Sequence, residues 1–358
     1  MSLTLRRASL IDDHQEIVDL LVRNVTCPPC AGPGVDPNQQ ELFDWRHVVN
    51  PAGEAWVWLL CDQKKPAIAT VSVFPRRMLV DGKMTTCGHV GVVAVDASYR
   101  SLGPAVQLQR TTFGLVDSGA LAFCYDCPPD DQRMTTFHRL GMPPNSEIGR
   151  YGFLFRSNEF LEEHLGSGIL SELLAAPANW FLGSRKAARN EPGLHIEEFT
   201  ERFGDEFTEL NRRVPSRGVI RGSRSADLLN WRYRECPAWD TPDAKVLVAR
   251  RAGEPCGFLA FWIERNRRRA YISDLFGLQL NTVGAALLDA AMEVCQREKM
   301  FSLHGYCSTG SELKPLFARL GFRWRERAAR VVAYESRCVT RSLLNHGLNW
   351  TFTQTDQM

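Results

Sequence analysis

With 358 residues, 44% of them hydrophobic and 23% charged, the chain is too long for one average domain and has the composition of soluble globular protein. A formal charge of +2 gives no electrostatic case for nucleic acid, and the 36 arginines, set against seven lysines, are scattered rather than banded. No apolar run is long enough to span a bilayer, Met1 to Arg7 lacks the apolar core of a signal peptide, and eleven cysteines set mostly in apolar runs (Cys61, Cys256, Cys295) fit a reducing, cytoplasmic setting.

In chain order, Leu3 to Ala8 predicts a strand, and Asp12 and Asp13 are placed to cap a helix that carries Ile17, Leu20 and Leu21 on one face. The Pro- and Gly-rich stretch from Thr26 to Pro37 excludes regular structure. Glu41 to Val48 predicts a short helix. Trp56–Cys61 and Ala67–Phe74 predict a hairpin, and Met78–Val80 a further strand. The run from Val90 to Val95 is β-branched and predicts a buried strand that leads through Arg100-x-x-Gly103-x-Ala105 into a helix over 104–118. A strand then follows at 120–125, a helix from Gln132 to Leu140 and a closing strand over 149–155.

Residues 158–190 break this pattern with helical pieces punctuated by Gly166, Gly168, Pro177 and Gly183. Their apolar stripe ends in Arg185-Lys-Ala-Ala-Arg189. Packing between domains is the reading adopted for it, with peripheral membrane contact as the alternative.

From Leu194 the chain starts again. Asp44-Trp45-Arg46-His-Val-Val-Asn-Pro51-Ala52 is echoed by Asn230-Trp231-Arg232-Tyr-Arg-Glu-Cys-Pro237-Ala238, 186 residues later. Phe137-His-Arg-Leu-Gly141 is echoed by Phe317-Ala-Arg-Leu-Gly321, 180 residues later. A period this long means two copies of one domain. The boundaries expected are 1–157 for the first copy, 158–192 for a helical linker, 193–340 for the second copy and 341–358 for a tail. The Trp–Arg pairs are expected to pack each short helix on its own hairpin, with the Arg tied to a carboxylate or carbonyl.

A strand that enters a glycine-bearing turn and then a helix presents backbone N–H groups and a favourable dipole to an anion. Gly103 permits close approach, and Arg100 adds a cation. The pattern resembles the pyrophosphate loop of the GNAT acyltransferase superfamily, (Arg/Gln)-x-x-Gly-x-(Gly/Ala), and Phe137 to Met142 resembles that family's Tyr-x-x-Leu-Gly-Phe. The resemblance spans nearly the whole chain. It implies an α+β fold of two tandem GNAT-like domains, each a mixed, mostly antiparallel sheet flanked by helices. The counterpart turn of the second copy, Asn281-x-x-Gly284-x-Ala286, has lost the cation. The first copy is therefore the expected cofactor site, and the second a degenerate partner that shapes an acceptor groove.

The resemblance further implies transfer of an acyl group from acetyl-CoA or another acyl-CoA to an amine by direct attack. Backbone groups of Val93, Ala94 and Val95 would pair with the pantetheine amides. Arg100, Ser101, Leu102, Gly103, Pro104 and Ala105 would hold the pyrophosphate. The family's thiolate-protonating Tyr is replaced here by Phe137, so Tyr125 and Asp126 are the candidate acids. His89 is the candidate base, with a structural role as the alternative reading.

Cys27-x-x-Cys30 and Cys124-x-x-Cys127 have zinc-ligand spacing, but their loops lack the glycine usual in zinc knuckles, and chance spacing is the reading adopted. The expected acceptor is a small amine, amino sugar or amino acid, with no nucleic acid partner; the sequence leaves the oligomeric state open. Two alternatives stand beside this. One is acyl transfer from a carrier-protein thioester or aminoacyl-tRNA. The other is a non-catalytic acyl-CoA-binding or scaffold protein, which the loss of the Tyr favours.

Overall fold

The computed structural model describes residues 3–24, 40–62, 65–100, 102–155, 191–336, 344 and 347–357. The helical pieces expected over 158–190, together with Cys27, Cys30 and Ser101, lie outside them.

The first half runs β1 (Leu3–Arg7), α1 (His14–Asn24), α2 (Gln40–His47), β2 (Trp56–Asp62), β3 (Lys65–Val80), β4 (Lys83–Val95), α3 (Leu102–Asp117), β5 (Phe123–Asp126), α4 (Asp131–Arg139) and β6 (Ser146–Leu154). Asp13 does not act as a side-chain cap of α1; both its oxygens are held by Arg6, at 2.7 and 2.8 Å. The two strands expected between Ala67 and Val80 are a single 16-residue strand, because Pro75 interrupts neither the register with β4 nor the run of buried residues. The second half runs β7 (Leu194–Glu198), α5 (Asp205–Arg213), β8 (Val219–Gly222), α6 (Ala226–Tyr233), β9 (Ala244–Arg251), β10 (Glu254–Glu264), β11 (Arg269–Gly277), α7 (Ala285–Arg297), β12 (Ser302–Ser308), α8 (Leu313–Arg319), β13 (Arg323–Glu335) and β14 (Asn349–Trp350). Arg265–Arg268 form the β10–β11 turn, with Arg265 paired to Asp243 and Glu298.

All the main strands join one sheet in the order β1-β2-β3-β4-β5-β13-β6-β12-β11-β10-β9-β7. The halves exchange their closing strands. β6 belongs to the first half in sequence but pairs with β12 of the second, from Ser302↔Leu154 to Ser308↔Ile148. β13 lies along β6 for most of its length and then passes to β5 at Val332↔Asp126. Two register shifts, at Trp324/Glu326 and Arg327/Ala329, bend it between the two partners. Residues 347–357, read in sequence as part of a tail, are built into the centre. β14 pairs with β8, and Trp350 and Phe352 are buried against Phe123 and Tyr125.

In each half the parallel pair at the centre comes apart. β4 pairs with β5 only at Gly88↔Cys124 and His89↔Tyr125, and β11 with β12 only as far as Ile272↔Gly305. Close to each divergence the strand bulges, at Gly91–Val92 in β4 and at Ser273 in β11. Gly91 is required there, because a Cβ would stand 2.4 Å from the Phe74 ring and 3.0 Å from Arg46. These bulges turn the strand ends away from their neighbours and open a V-shaped gap.

Candidate functional site

Beyond His89 the β5 side of β4 has no strand partner among the described residues. Alternate main-chain N–H and C=O groups from Val90 to Val95 therefore face the gap. Of the residues expected to serve a pantetheine chain, Ala94 turns its side chain into the cluster under α1, while Val93 and Val95 lean on the cluster under α3. What they offer a ligand is backbone.

The turn after β4 is pinned from several sides. Asp96 accepts from Ser98 N at 3.0 Å, the Tyr99 hydroxyl donates to Asp62 at 2.6 Å, and Arg23 approaches Asp96 at 3.8 Å. Arg100 is exposed, and among the described residues its guanidinium reaches only Asn24 Oδ1, at a long 3.5 Å. α3 begins at Leu102, so Gly103, Pro104 and Ala105 form its first turn. Pro104 is buried and Ala105 half-buried; Gly103 is the exposed member and the one that opens on a cleft.

That cleft has a volume of about 640 Å³ and is lined by Gly103, Val106, Gln107, Arg110, Thr111 and Arg139. Arg110 and Arg139 were not foreseen. The signal was present: Gly103, Gln107, Arg110 and Thr111 share one helix face at i, i+4, i+7 and i+8, the stripe that α3 turns toward α4. Two exposed guanidiniums beside a helix N-terminus, with an unpaired strand edge beyond it, make an extended site for a molecule that is anionic at one end and amide-bearing along its length.

The corresponding turn of the second half is closed. It forms a π-turn over Leu280–Gly284, and Arg319 donates to the Asn281 carbonyl. The side chains of Leu316 and Leu280 come within 3.1 and 3.3 Å of where a Cβ on Gly284 would sit. Its V-shaped gap is filled by the chain's own end. Thr353 Oγ1 donates to Asp274 at 2.9 Å, Thr355 Oγ1 donates to the Ser273 carbonyl at 3.2 Å, and Ser308 N donates to the Phe352 carbonyl at 3.0 Å. Of the two equivalent turns, the one that opens on a cleft is that of the first half, which carries Arg100.

The three candidate proton-transfer residues sit on two faces of the sheet. Tyr125 and His89 are register partners and stack with centroids 4.9 Å apart. Tyr125 is buried, and its hydroxyl donates to the Asp356 carbonyl at 2.9 Å; burial pushes its pKa well up. That engaged phenol is poorly placed to protonate a thiolate. His89 is 2% exposed, its Nδ1 is buried with no partner among the described residues, and burial together with Arg76, Arg46, Arg133 and Arg232 holds its pKa well below the usual range. Those cations oppose an imidazolium, which argues against the base role. Asp126 ends β5 on the opposite face, at the mouth of the gap. Burial raises its pKa to about 6, offset in part by Arg133, whose Nη2 is 3.5 Å away. A carboxyl poised near neutrality at such a place is suited to exchange a proton.

Phe137 is buried with Met134 and Val332 and fills the family's Tyr position with hydrocarbon. Cys124 and Cys127 belong to different packing clusters on the two faces of β5, and burial pushes the Cys124 thiol up to about 12. Among the described residues, which exclude Cys27 and Cys30, no group of metal-ligating side chains converges.

The Trp–Arg repeat has a different role from the one expected. Trp45 and Trp231 do not pack on separate hairpins; they stack on each other between the halves, with centroids 4.4 Å apart. Arg46 lies over Phe74 at 4.3 Å, and Arg232 reaches the Thr355 carbonyl at 3.5 Å.

No family model matches this chain, and no curated protein matches it in sequence. Solved structures do. A conserved protein of unknown function from Enterococcus faecalis, described as a probable N-acyltransferase, superposes with a TM-score of 0.63 at 15% identity, over 94% of this chain and 72% of its own. Saccharomyces cerevisiae N-myristoyltransferase with bound myristoyl-CoA gives 0.61 at 16% identity, over 94% and 80%. A tandem GNAT protein from the clavulanic acid biosynthesis pathway gives 0.54 at 13% identity, over 93% and 98%. The fold of this chain is the tandem GNAT fold.

Proposed function

We propose that this tandem GNAT-fold chain is an acyl-CoA-dependent N-acyltransferase whose donor site lies in its first half. The observation that carries the reading is the asymmetry between the halves. The turn bearing Arg100 and Gly103 opens on a cleft lined by Arg110 and Arg139 and leads to an unpaired edge of β4. The equivalent turn and gap of the second half are filled by the protein itself. A scaffold would have no reason to keep one of two duplicated sites open and cationic. The similar solved structures include acyltransferases, one of them with myristoyl-CoA bound.

In this reading the first-turn amides of α3 together with Arg100, Arg110 and Arg139 hold the phosphates, and the β4 edge holds the amide-bearing arm. An N–H at the Gly91–Val92 bulge polarises the thioester carbonyl. The acceptor nitrogen bonds to the acyl carbon as the carbon–sulfur bond breaks, and the departing thiolate takes up one proton. The nitrogen sheds two protons in going from ammonium to amide. Asp126 receives the first, directly or through a water, and the second leaves after the attack. With one taken up by the thiolate, the net release to solvent is one proton. Phe137 supplies no proton, so the thiolate is protonated from solvent or from Asp126 once loaded. The acceptor is a small amine that enters between the halves.

Calorimetry with acetyl-CoA and with myristoyl-CoA tests the donor site. Binding by the wild type, weakened at least tenfold in Arg110→Glu and Arg100→Glu, is the expected result. Absence of binding, or binding indifferent to both variants, overturns the reading. Thiol release with an amine panel then separates an enzyme from a binding protein.

A further inference from the structure

The region where the halves meet contains guanidiniums that no carboxylate of the described residues pairs with directly. A cavity of about 40 Å³ lies there, lined by Arg76, Arg224, Arg232, Tyr125, Tyr233 and Trp231, with Arg77 and Asp356 at its edge. Four guanidiniums therefore border it. Arg224 is held bidentately by both Asp274 and Asp356, at 2.7 to 3.1 Å, and Arg77 pairs with Asp227. Arg76 and Arg232 receive no carboxylate from the described residues. Arg232 is 2% exposed; its Nη2 donates to the Thr355 carbonyl at 3.5 Å, and its Nε and Nη1 have no hydrogen-bond partner among the described residues. Arg76 is half-buried, and its guanidinium, with Nε buried, makes no hydrogen bond with a described residue. The two cations flank the tryptophan pair, Arg76 at 5.2 Å from the Trp231 ring centre and Arg232 at 5.9 Å from that of Trp45. Burial, reinforced by Arg232 and opposed by Tyr125 and the Asp356 carboxylate, brings Arg76 down to about 10.

A buried ion without a partner is among the costlier things a fold can carry, and a protein retains it where a ligand supplies the missing charge. The cavity has room for a group of a few heavy atoms. Its location ties it to the chemistry. Tyr125, which lines it, stacks on His89, the last β4 residue paired with β5 before the gap opens. The size of the cavity also narrows the ligand: about 40 Å³ admits a planar carboxylate more readily than a tetrahedral phosphate.

We infer that the acceptor amine carries a carboxylate, and that Arg76 and Arg232 receive that carboxylate in the cavity between the halves. The inference deepens, and rests on, the reading of the chain as an N-acyltransferase, and it narrows the acceptor to amino acids and related amino carboxylates. The tryptophan pair fixes the planes of the two guanidiniums before the acceptor arrives. The duplicated Trp–Arg motif therefore does more than join the halves, since its second copy supplies a recognition residue.

Matched acceptors test this: glycine against glycinamide, and β-alanine against β-alaninamide, each with acetyl-CoA and a free-thiol readout. The acids are expected to be used at least tenfold better than the amides by kcat/KM. Arg76→Gln should erase that preference by raising KM for the acids tenfold or more. Equal use of acids and amides overturns the inference and leaves the enzyme reading intact. A second arm needs no acyl-CoA. Sodium acetate should raise the melting temperature of the wild type above that in sodium chloride at equal ionic strength, and should not do so for Arg76→Gln. Arg232→Met repeats the measurement from the other side of the cavity. If chloride stabilises as much as acetate, the site is a generic anion site and the inference fails. If acetate alone stabilises but no amine releases thiol, the carboxylate site stands and the enzyme reading falls.

Discussion

Trp45 and Trp231 meet face to face, and each indole N–H donates to the other's backbone carbonyl, at 2.7 and 3.0 Å. The two residues occupy equivalent places in the two copies, so the contact is self-complementary, like that across a two-fold axis. One motif, duplicated, has become the joint between its own copies.

Trp231 is buried, so truncation should be severe. Trp231→Ala removes a buried ring, its partner's stacking and the hydrogen bond its own indole donates, while the residue-231 carbonyl that accepts from Trp45 stays, and is expected to cost about 3–5 kcal/mol in urea unfolding. Trp231→Phe retains most of the stacking and should cost about 1–2 kcal/mol. A double-mutant cycle of Trp45→Phe with Trp231→Phe should show coupling; additive losses would mean that the two rings do not act as a unit.

The Arg224 ion cluster holds residues 353–356 in the gap of the second half. Arg224→Met leaves Asp274 and Asp356 buried without their cation, and a loss of about 3–5 kcal/mol is expected. The loss should appear as a lower melting temperature and as earlier hydrogen exchange at 351–357. An unchanged melting temperature would show that the cluster does not hold the segment.

Asp126, with its pKa raised to about 6, gives the donor site a titration in a measurable range. If it accepts the ammonium proton, kcat/KM should rise through about pH 6 as the carboxylate forms. In Asp126→Asn that acidic limb should vanish and kcat should fall by about 10²–10⁴. Persistence of the limb in the variant would assign it to another group.

Stability should fall on mild acidification. Burial holds His47 and His304 at about 3 and His89 well below 6.5, so each stays neutral in the fold while its unfolded counterpart takes a proton. A depressed folded-state pKa means that the unfolded chain binds more protons below about pH 6.5, and each such His removes up to about 1.4 kcal/mol per pH unit as pH falls. Asp126 acts in the opposite direction, because its raised pKa adds stability as pH drops from about 6 toward 4. Three histidines outweigh one aspartate, so the urea midpoint should decline between pH 6.5 and 4. The decline should be shallower in His47→Gln. A flat profile across that range would show that these imidazoles protonate in place.

Much of this was legible in the chain. The β-branched run into Arg100-x-x-Gly103 located the open turn. The loss of the cation at Asn281 marked the half whose turn is closed, and the 186-residue offset revealed the duplication. The exchange of β6 and β13 was not legible, because either closing strand has the alternation to fit either sheet and a strand does not encode which edge it joins. Nor was the meeting of Trp45 with Trp231, since a repeat shows that two residues are equivalent and not that they touch.

By itself the sequence determined the local events: where backbone turns, which helix faces are apolar, and which copy retained its arginine. These follow from side-chain periodicity and backbone sterics over a few residues, and need no partner. Only the tertiary structure decided which arginines are answered. Arg224 finds two carboxylates from residues 50 and 132 positions away, while Arg76 and Arg232 line the same cavity and are paired with none from the described residues. Charge balance inside a protein is set by distances in space, and chain order carries no record of them.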